Sequence, residues 1–387
     1  MRINVLAAAI SVIAFAACSD SPTAVNTETE PTPALNSQGI AGRFIVTLRG
    51  GEAPSTVARE HGVRPDFTYT HALNGFAGRI SDAARQGLLR DSRVVRVEPD
   101  GIATIVETQS NATWGIDRSD QRALPLSGTY TYATTGSGVR AYIIDTGILF
   151  GHSEFGGRAV SGFDAVDGGT ADDCNGHGTH VAGTVGGATY GIAKAATLVG
   201  VRVLSCSGSG TWSGVIAGID WVAGNFTAPA VANMSLGGGA NSSVDNAVRN
   251  LIAAGVSTAV AAGNGNQGGR AQDACRYSPA RVAEAMTIGA TDKTDKKASW
   301  SNYGKCVDWF APGVGITSAW RTSTTATNTI SGTSMATPHT AGVAALYLQT
   351  NPGASATVVR AALYNNTTKA IVTSSKTANN HLLFTNY

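Results

Sequence analysis

The chain has 387 residues, enough for two or three domains of ordinary size and for one large hydrophobic core. Hydrophobic residues make up 43%, and 47 Gly with 12 Pro are too few for a collagen-like or disordered chain. Charged residues make up only 14%, the net charge is +2 and no basic run stands out, so the composition gives no sign of nucleic-acid binding.

Residues 1–18 have the features of an export signal. A short positive start precedes an apolar stretch over 5–17, which is too short to span a bilayer as a helix. The ending Phe15-Ala16-Ala17-Cys18 resembles a bacterial lipoprotein signal, in which Cys18 is lipidated; ordinary cleavage near Ala17 is the alternative. Both interpretations predict that the chain leaves the cytoplasm. Residues 19–39, rich in Ser, Thr, Pro and Glu, predict a flexible tether.

Residues 40–106 are predicted to form a small α+β domain. Apolar and β-branched residues predict strands over 44–48, 67–69, 75–80 and 93–98, and helices are predicted over 53–62 and 82–89. The order βαββαβ predicts an antiparallel sheet backed by two helices, as in ferredoxin-like domains. His61 and His71 are interpreted as packing or surface residues, so no chemistry is predicted in this domain.

The composition changes at residue 109, and residues 109–387 are predicted to form an α/β domain. Apolar runs of strand length occur at 139–144, 198–203, 230–235, 256–261 and 286–290, and helical patterns such as 214–224 and 244–254 lie between them. This alternation predicts a parallel sheet with helices on both faces. Functional residues of such sheets collect at the carboxyl ends of the strands.

Two segments near these strand ends carry candidate residues. Asp145 directly follows the strand at 139–144, although an ordinary loop aspartate is the alternative. His177 lies between two glycines at a predicted helix start. His177 and His180 are three residues apart on one helical face and could bind a metal, but no Glu follows His177, so the HExxH zinc pattern is absent.

A third segment places Ser334 at the start of a helix that continues through Leu348. Backbone N–H groups and the positive end of the helix dipole would stabilise an oxyanion that forms beside the serine oxygen. Pro338 is expected in the first turn, where a missing N–H costs little. The alternative is that Ser334 is only an N-cap.

Asp145, His177 and Ser334 occur in the chain order Asp…His…Ser. The segments Tyr142-Ile143-Ile144-Asp145-Thr146-Gly147-Ile148, Gly176 to Thr184, and Gly332 to His339 match the three catalytic motifs of subtilisin-like serine peptidases. The chain resembles this family, and most of all its proteinase K branch, from Trp114 to about Leu383. Three long motifs in this order make the resemblance highly specific.

The resemblance implies a role for each of these residues. Ser334 would attack the scissile carbonyl, His177 would take and return the proton, and Asp145 would orient the imidazole. Asn264 matches the oxyanion-hole residue of the family, although a turn residue before Gly265 is the alternative.

The resemblance also implies a cleft for an extended peptide. The segments that would flank the peptide contain Gly208, Gly210 and Trp212 on one side and Ser235, Leu236 and Gly237 on the other; the first pocket would be lined by Ala261, Ala262 and Gly263. An open apolar pocket predicts broad cleavage after apolar or aromatic residues. Plain surface loops are the alternative for both glycine-rich stretches.

Four cysteines besides Cys18 allow three pairings, and free buried thiols are the alternative. The resemblance implies the disulfides Cys174–Cys206 and Cys275–Cys306. It also implies structural calcium ions, one held by Asp308 with the carbonyls of Pro279 and Arg281, and a second at Asp117, Asp120 and Gln121. The four aspartates between residues 164 and 173 could hold another ion or form a solvated loop.

The resemblance finally implies that residues 40–106 are an inhibitor-like propeptide, which templates folding and then blocks the cleft. Autocleavage is expected within residues 102–111, with the bond before Gln109 favoured, so that a lipid on Cys18 would anchor only the precursor. The sequence thus predicts a secreted, monomeric serine endopeptidase that acts on polypeptides, with Ca²⁺ as a structural ion and no catalytic cofactor. A metallohydrolase built on His177, His180 and Asp145, or an inactive binding protein, are the alternatives.

Overall fold

The computed structural model describes residues 40–101 and 106–387. The chain divides into two compact units, Met1–Ile102 and Ala103–Tyr387. The export segment, the tether and Cys18 lie outside the described residues. The domain limits at 106 and 109 stay predictions. In the described part of the chain, none of the helices has the length and apolar character needed to cross a bilayer.

The first unit is a four-stranded antiparallel sheet with two helices. Its elements in chain order are β1 (Arg43–Leu48), α1 (Pro54–Glu60), β2 (Phe67–Tyr69), β3 (Gly75–Arg79), α2 (Asp82–Leu88) and β4 (Val94–Pro99). The strands lie in the order β2-β3-β1-β4. Alternate apolar residues of β1, such as Val46 and Leu48, pack with Phe76 and Leu88 in a core of this unit's own. The predicted α+β arrangement is confirmed.

The second unit is built from more strands and helices than the first. Its elements in chain order are β5 (Glu107–Ser110), α3 (Trp114–Ser119), β6 (Thr129–Tyr132), β7 (Arg140–Asp145), β8 (Ala159–Asp164), α4 (His177–Gly186), β9 (Thr197–Arg202), α5 (Trp212–Asn225), β10 (Ala230–Met234), β11 (Gly238–Gly239), α6 (Ser242–Ala253), β12 (Ser257–Ala261), β13 (Tyr277–Ser278), β14 (Met286–Thr291), β15 (Trp309–Pro312), β16 (Ile316–Ala319), β17 (Thr327–Ile330), α7 (Thr333–Thr350) and α8 (Ala356–Asn366).

Seven of these strands form one parallel sheet in the order β15-β14-β12-β10-β7-β9-β8. Successive residues of β7 face opposite sides: Ala141 and Ile143 pack into a core that contains residues of α4 and α7, whereas Tyr142 and Ile144 pack into one that contains residues of α5 and α6. Strands buried on both faces read as continuous apolar runs, which is why the sequence predicts them well. The predicted parallel sheet with helices on both faces is confirmed.

Candidate active site

Asp145 and His177 form a close pair at the carboxyl end of the central strand β7. Asp145 is the last residue of β7 and is fully buried, and His177 is the first residue of α4. His177 Nδ1 lies 2.7 Å from Asp145 Oδ1, which also accepts a hydrogen bond from the Thr146 N–H at 2.8 Å. A carboxylate can only accept, so Nδ1 carries the proton and Nε2 is left as the basic nitrogen.

The charge of Asp145 controls the basicity of this imidazole. Burial lowers the pKa of His177, but the charge of Asp145 and its hydrogen bond, with a smaller contribution from Asp173, together outweigh burial and leave the pKa raised above its ordinary value. The His177 side chain is one-quarter exposed (25%), so one edge of the ring faces the cleft. The pair therefore has the arrangement that a general base requires.

A hydrogen-bond network centred on Asp173 fixes the start of α4. The sequence left this residue open as an ion ligand or a solvated aspartate. Its Oδ1 accepts hydrogen bonds from the Thr146 hydroxyl and from the N–H groups of Asn175 and Gly176, all at 2.8–2.9 Å. Its Oδ2 accepts from the N–H and the hydroxyl of Thr179. Asp173 therefore joins the end of β7 to the first turn of α4, which carry the two halves of the Asp145–His177 pair.

Gly178 allows the first turn of α4 to pack directly on the loop after Asp145. A Cβ at position 178 would lie 2.1 Å from the carbonyl oxygen of Gly147, which no real contact allows. The Gly178 N–H donates to Thr146 Oγ1 at 2.8 Å across the same contact. This glycine next to His177 thus makes room for a neighbouring backbone rather than for the imidazole itself.

Ser334 is the second residue of α7 and is not its N-cap. The cap position is Gly332, with no side-chain cap. Ser334 Oγ donates to the carbonyl oxygen of Ser235 at 3.0 Å, and within the described residues no hydrogen bond joins it to His177. Catalytic hydrogen bonds are often long or poorly aligned without substrate and tighten only in the substrate complex.

Pro338 does not lie in the first turn, as expected from the sequence, because α7 begins at Thr333 and Pro338 is its sixth residue. A proline there has no N–H to donate to the carbonyl of Ser334, four residues earlier. The Ser235 hydroxyl takes that place and donates to the Ser334 carbonyl oxygen at 2.8 Å. The proline thus leaves a carbonyl at the start of α7 free to bind the strand end that carries Ser235.

Asn264 lies beyond the end of β12, and its side-chain oxygen is already used. Asn264 Oδ1 accepts hydrogen bonds from both the N–H and the hydroxyl of Thr333, each at 2.8 Å. The Thr333 hydroxyl in turn accepts from the Gly263 N–H at 3.1 Å. These contacts leave the Asn264 amide N–H₂ as a donor beside the N-terminus of α7.

Two adjoining cavities contain the residues predicted to bind substrate. The first, of about 490 Å³, is lined by His177 together with Gly208, Gly210, Trp212 and the segment 235–239. The second, of about 690 Å³, is lined by Ser334 and Asn264 together with the segments 236–239 and 261–263. No charged side chain is among the described residues that line either wall, apart from His177 if it is protonated.

Both implied disulfides are present in the structure, Cys174–Cys206 and Cys275–Cys306. The first joins the segment before His177 to the segment that continues into Gly208. The Arg202 guanidinium lies 3.3 Å from Cys174 Sγ and pairs with Asp164 and Asp167 at 2.9 Å. A fixed guanidinium between these two carboxylates leaves no place for a cation between them, so Asp164 and Asp167 do not form a cation site.

The histidine pair does not form a metal site. His180 Nε2 lies 3.0 Å from the carbonyl oxygen of Ile316, to which it donates, and burial lowers the pKa of His180 to about 4. Over residues 40–101 and 106–387, no three His, Cys, Asp or Glu side chains are grouped as metal ligands. The geometry therefore gives no support to the metallohydrolase alternative.

The two implied calcium sites differ in how well their residues fit the ion. At Asp308, one carboxylate oxygen pairs with the Arg360 guanidinium and the other accepts the Thr287 N–H, while the Pro279 carbonyl accepts from the Val282 N–H, so a cation there would have to displace Arg360. At the other site Asp117 accepts hydrogen bonds at both oxygens, Oδ1 from Ser127 and Oδ2 from the Gly128 N–H, but among the described residues no cationic side chain pairs with it, and the buried Asp120 Oδ1 has no partner there. The Gln121 amide contacts Asp117 as well. Oxygen-rich residues with an unpartnered carboxylate oxygen fit a hard cation.

Comparison with known proteins gives consistent matches. Residues 136–384 match the Subtilase family, and residues 43–105 match the Peptidase inhibitor I9 family. An extracellular serine proteinase of Thermus sp. (strain Rt41A) is 50% identical over 97% of both chains. Proteinase R of Parengyodontium album is 41% identical over 90% of both chains. The crystal structure of a cold adapted subtilisin-like serine proteinase is 55% identical with a TM-score of 0.69, covering 71% of this chain and 98% of that one.

Proposed function

Because the chain belongs to the subtilase family of serine proteinases and carries an I9 inhibitor domain before its peptidase domain, we propose that it is an exported, autoprocessed endopeptidase with Asp145, His177 and Ser334 as its catalytic triad. The observation that carries this proposal is the buried Asp145–His177 pair, which holds the imidazole in the tautomer of a general base. The N-terminus of α7 supplies the serine across the same cleft.

In the proposed acylation step, Ser334 Oγ leaves the Ser235 carbonyl and gives its proton to His177 Nε2 as it attacks the scissile carbonyl carbon. The imidazolium that forms is stabilised by Asp145 and then protonates the leaving amine, so that the peptide C–N bond breaks and an acyl-enzyme remains. In the second half of the reaction, water gives a proton to His177 Nε2 as it attacks the acyl carbon. His177 then returns the proton to Ser334 Oγ, and the ester bond breaks to release the acid product. The oxyanion accepts hydrogen bonds from the Ser334 N–H and the Asn264 amide.

We propose broad specificity for apolar or aromatic residues before the cleaved bond. The cavity beside Ser334 is lined by glycine, alanine, asparagine and other uncharged residues, so it offers a charged side chain no partner. In peptides that differ only at this position, kcat/KM with leucine or phenylalanine should exceed kcat/KM with aspartate by about 10²-fold. Asparagine, which has nearly the size of aspartate but no charge, is the control. A preference for aspartate over asparagine would contradict the proposal.

We also propose that the I9 domain inhibits the peptidase domain until cleavage separates them. Support comes from the family match and from the separate core of the first unit. The favoured bond, Thr108–Gln109, lies within β5, which pairs with β6 of the second unit. Cleavage there requires the residues around this bond to separate from β6, because a peptide enters the cleft of a protease as an unpaired extended segment.

We propose export because the start of the chain has the features of a signal segment and the Thermus relative is named as extracellular. Lipidation of Cys18 and a monomeric state stay predictions from the sequence. Mass spectrometry of the precursor's N-terminus tests the lipidation.

We propose that Asp117, Asp120 and Gln121 hold a structural calcium ion. A ligand present at about 100 times its Kd stabilises the folded state by about 2.7 kcal/mol, which for a domain of this size raises the unfolding temperature by roughly 5–10 °C. Asp120→Asn should remove the shift that added calcium causes, as measured by thermal unfolding of a Ser334→Ala variant that cannot digest itself. Asp308→Asn is the matched control and should keep the shift. The reverse result would mean that the ion lies at Asp308.

A further inference from the structure

The side chain of Asn302 is fully buried beneath the loop that carries Asn264, and it uses both ends of its amide on that loop. Its Nδ2 donates to the carbonyl oxygen of Ala262 at 2.8 Å. Its Oδ1 accepts from the N–H groups of Gly265 at 3.1 Å and Gln272 at 2.8 Å. No feature of the sequence distinguishes this asparagine from the others.

The backbone of Asn302 contacts the same loop. Its N–H donates to the carbonyl oxygen of Gly263 at 2.9 Å, so Asn302 bonds to the residues on both sides of Asn264. Gly263 has a φ of +100°, and a Cβ there would lie 2.5 Å from Asn302 Nδ2. Any side chain at position 263 would clash with the Asn302 amide, so Gly263 allows Asn302 to approach the loop.

The bonds from Asn302 begin directly after the end of β12, at the point where the hydrogen bonds of the chain with the neighbouring strand end. The Ala262 N–H donates to Ile288 of the neighbouring strand at 3.0 Å, whereas the N–H groups of Gly263 and Gly265 bond to the side chains of Thr333 and Asn302. Asn264 itself is exposed, and Thr333 is the one residue in the described part of the chain that forms hydrogen bonds with its side chain. The backbone position of Asn264 therefore depends on the hydrogen bonds that the buried Asn302 forms with the residues on either side of it.

We propose that Asn302 is a positioning residue for peptide cleavage, which acts by holding the 262–265 backbone so that the Asn264 amide points at the developing oxyanion. The inference rests on the proposed role of Asn264. A donor displaced by about 1 Å can cost about 10²-fold in rate, so the effect of Asn302 falls on kcat.

The test is a double-mutant cycle on the mature enzyme. Asn302→Asp keeps the size and the acceptor oxygen but loses the donor to Ala262, and Asn302→Ala loses all three side-chain bonds. Either should lower kcat by about 10–100-fold with KM changed less than about threefold. Asn264→Ala alone should lower kcat by about 10²–10³-fold. In the Asn264→Ala background, the Asn302 change should cost less than about threefold more, because the donor that it positions is gone.

Ser301→Ala is the matched control. Its buried hydroxyl accepts from the Ala290 N–H at 3.0 Å and donates to the backbone carbonyl oxygen of Asn302 at 3.3 Å. The change removes these two bonds but keeps every bond of the Asn302 side-chain amide, so it should lower thermal stability and leave kcat unchanged. Variants that mature slowly are processed by an affinity-tagged unaltered enzyme, which is then removed, and rates are normalised by active-site titration. If Asn302→Ala does not fold, Asn302→Asp carries the test.

The outcomes separate the inference from the proposed function. An equal loss of kcat from the Asn302 change with and without Asn264, or no loss at all, overturns the inference and leaves the triad and Asn264 in place. An unchanged kcat in Asn264→Ala alone overturns the oxyanion role of Asn264, and the positioning role of Asn302 with it. A loss that disappears in the Asn264→Ala background supports the inference.

Discussion

Replacing Ser334 by alanine is expected to lower kcat by about 10⁶-fold, the loss found when the serine of such a triad is removed. The oxyanion donors and the binding cleft remain, but no oxygen is left to form the acyl-enzyme. The same change should leave the precursor uncleaved, because the proposed maturation uses the enzyme's own active site. Gel electrophoresis of the purified precursor and peptide hydrolysis measure both effects.

Ser355→Ala provides the control for this prediction. Ser355 is a true N-cap, whose side chain accepts from the Val358 N–H at the start of α8. Losing such a cap costs about 1 kcal/mol of stability and should leave processing and kcat unchanged. Normal self-processing of the Ser334→Ala variant, in the absence of any other protease, would contradict the assignment of Ser334 as nucleophile.

Replacing Asp145 by asparagine is expected to lower kcat by about 10⁴-fold. The introduced amide has nearly the same shape as the carboxylate but can present an N–H to His177 Nδ1, and this favours the tautomer in which Nε2 carries the proton and cannot act as a base. A residual activity near the wild-type level would show that this carboxylate does not orient the catalytic imidazole.

The remaining activity of Asp145→Asn should also extend to lower pH. His177 must be neutral to accept the serine proton, so activity falls as the pH falls through the His177 pKa. Asp145 raises this pKa against the opposing effect of burial; without its carboxylate, burial is opposed only by the smaller attraction of Asp173, so the pKa falls. The acidic limb of the kcat profile should move to lower pH, and an unmoved limb would contradict the electrostatic role of Asp145.

The central part of the fold follows from the sequence because strands buried on both faces leave long apolar runs, as at β7, β9 and β10. The edge strand β8 was not predicted, since only two of its six residues are buried and no apolar run marks it. The hairpin β16–β17 and the helix α8 were missed for a similar reason: exposed threonines and mixed polar residues hide their periodicity.

The candidate site also has one part that the sequence predicts and one part that it does not. Asp145, His177 and Ser334 stand in motifs that can be read along the chain, but the contacts of Thr146, Asp173 and Asn302 depend on loops brought together by the fold. The surroundings of the aspartates proposed as calcium ligands were the least predictable feature. The pairing of Asp308 with Arg360 joins residues 52 positions apart and leaves no trace in either local sequence.

Mass spectrometry after reaction with a sulfonyl fluoride tests the central claim most directly. A serine activated by His177 should be sulfonylated, so the mature enzyme should gain one adduct, on the peptide that contains Ser334, in step with loss of hydrolysis. His177→Ala should remain unlabelled under the same conditions. An enzyme that loses its activity while the adduct lies on another residue, or that keeps its activity with Ser334 fully modified, would contradict the account.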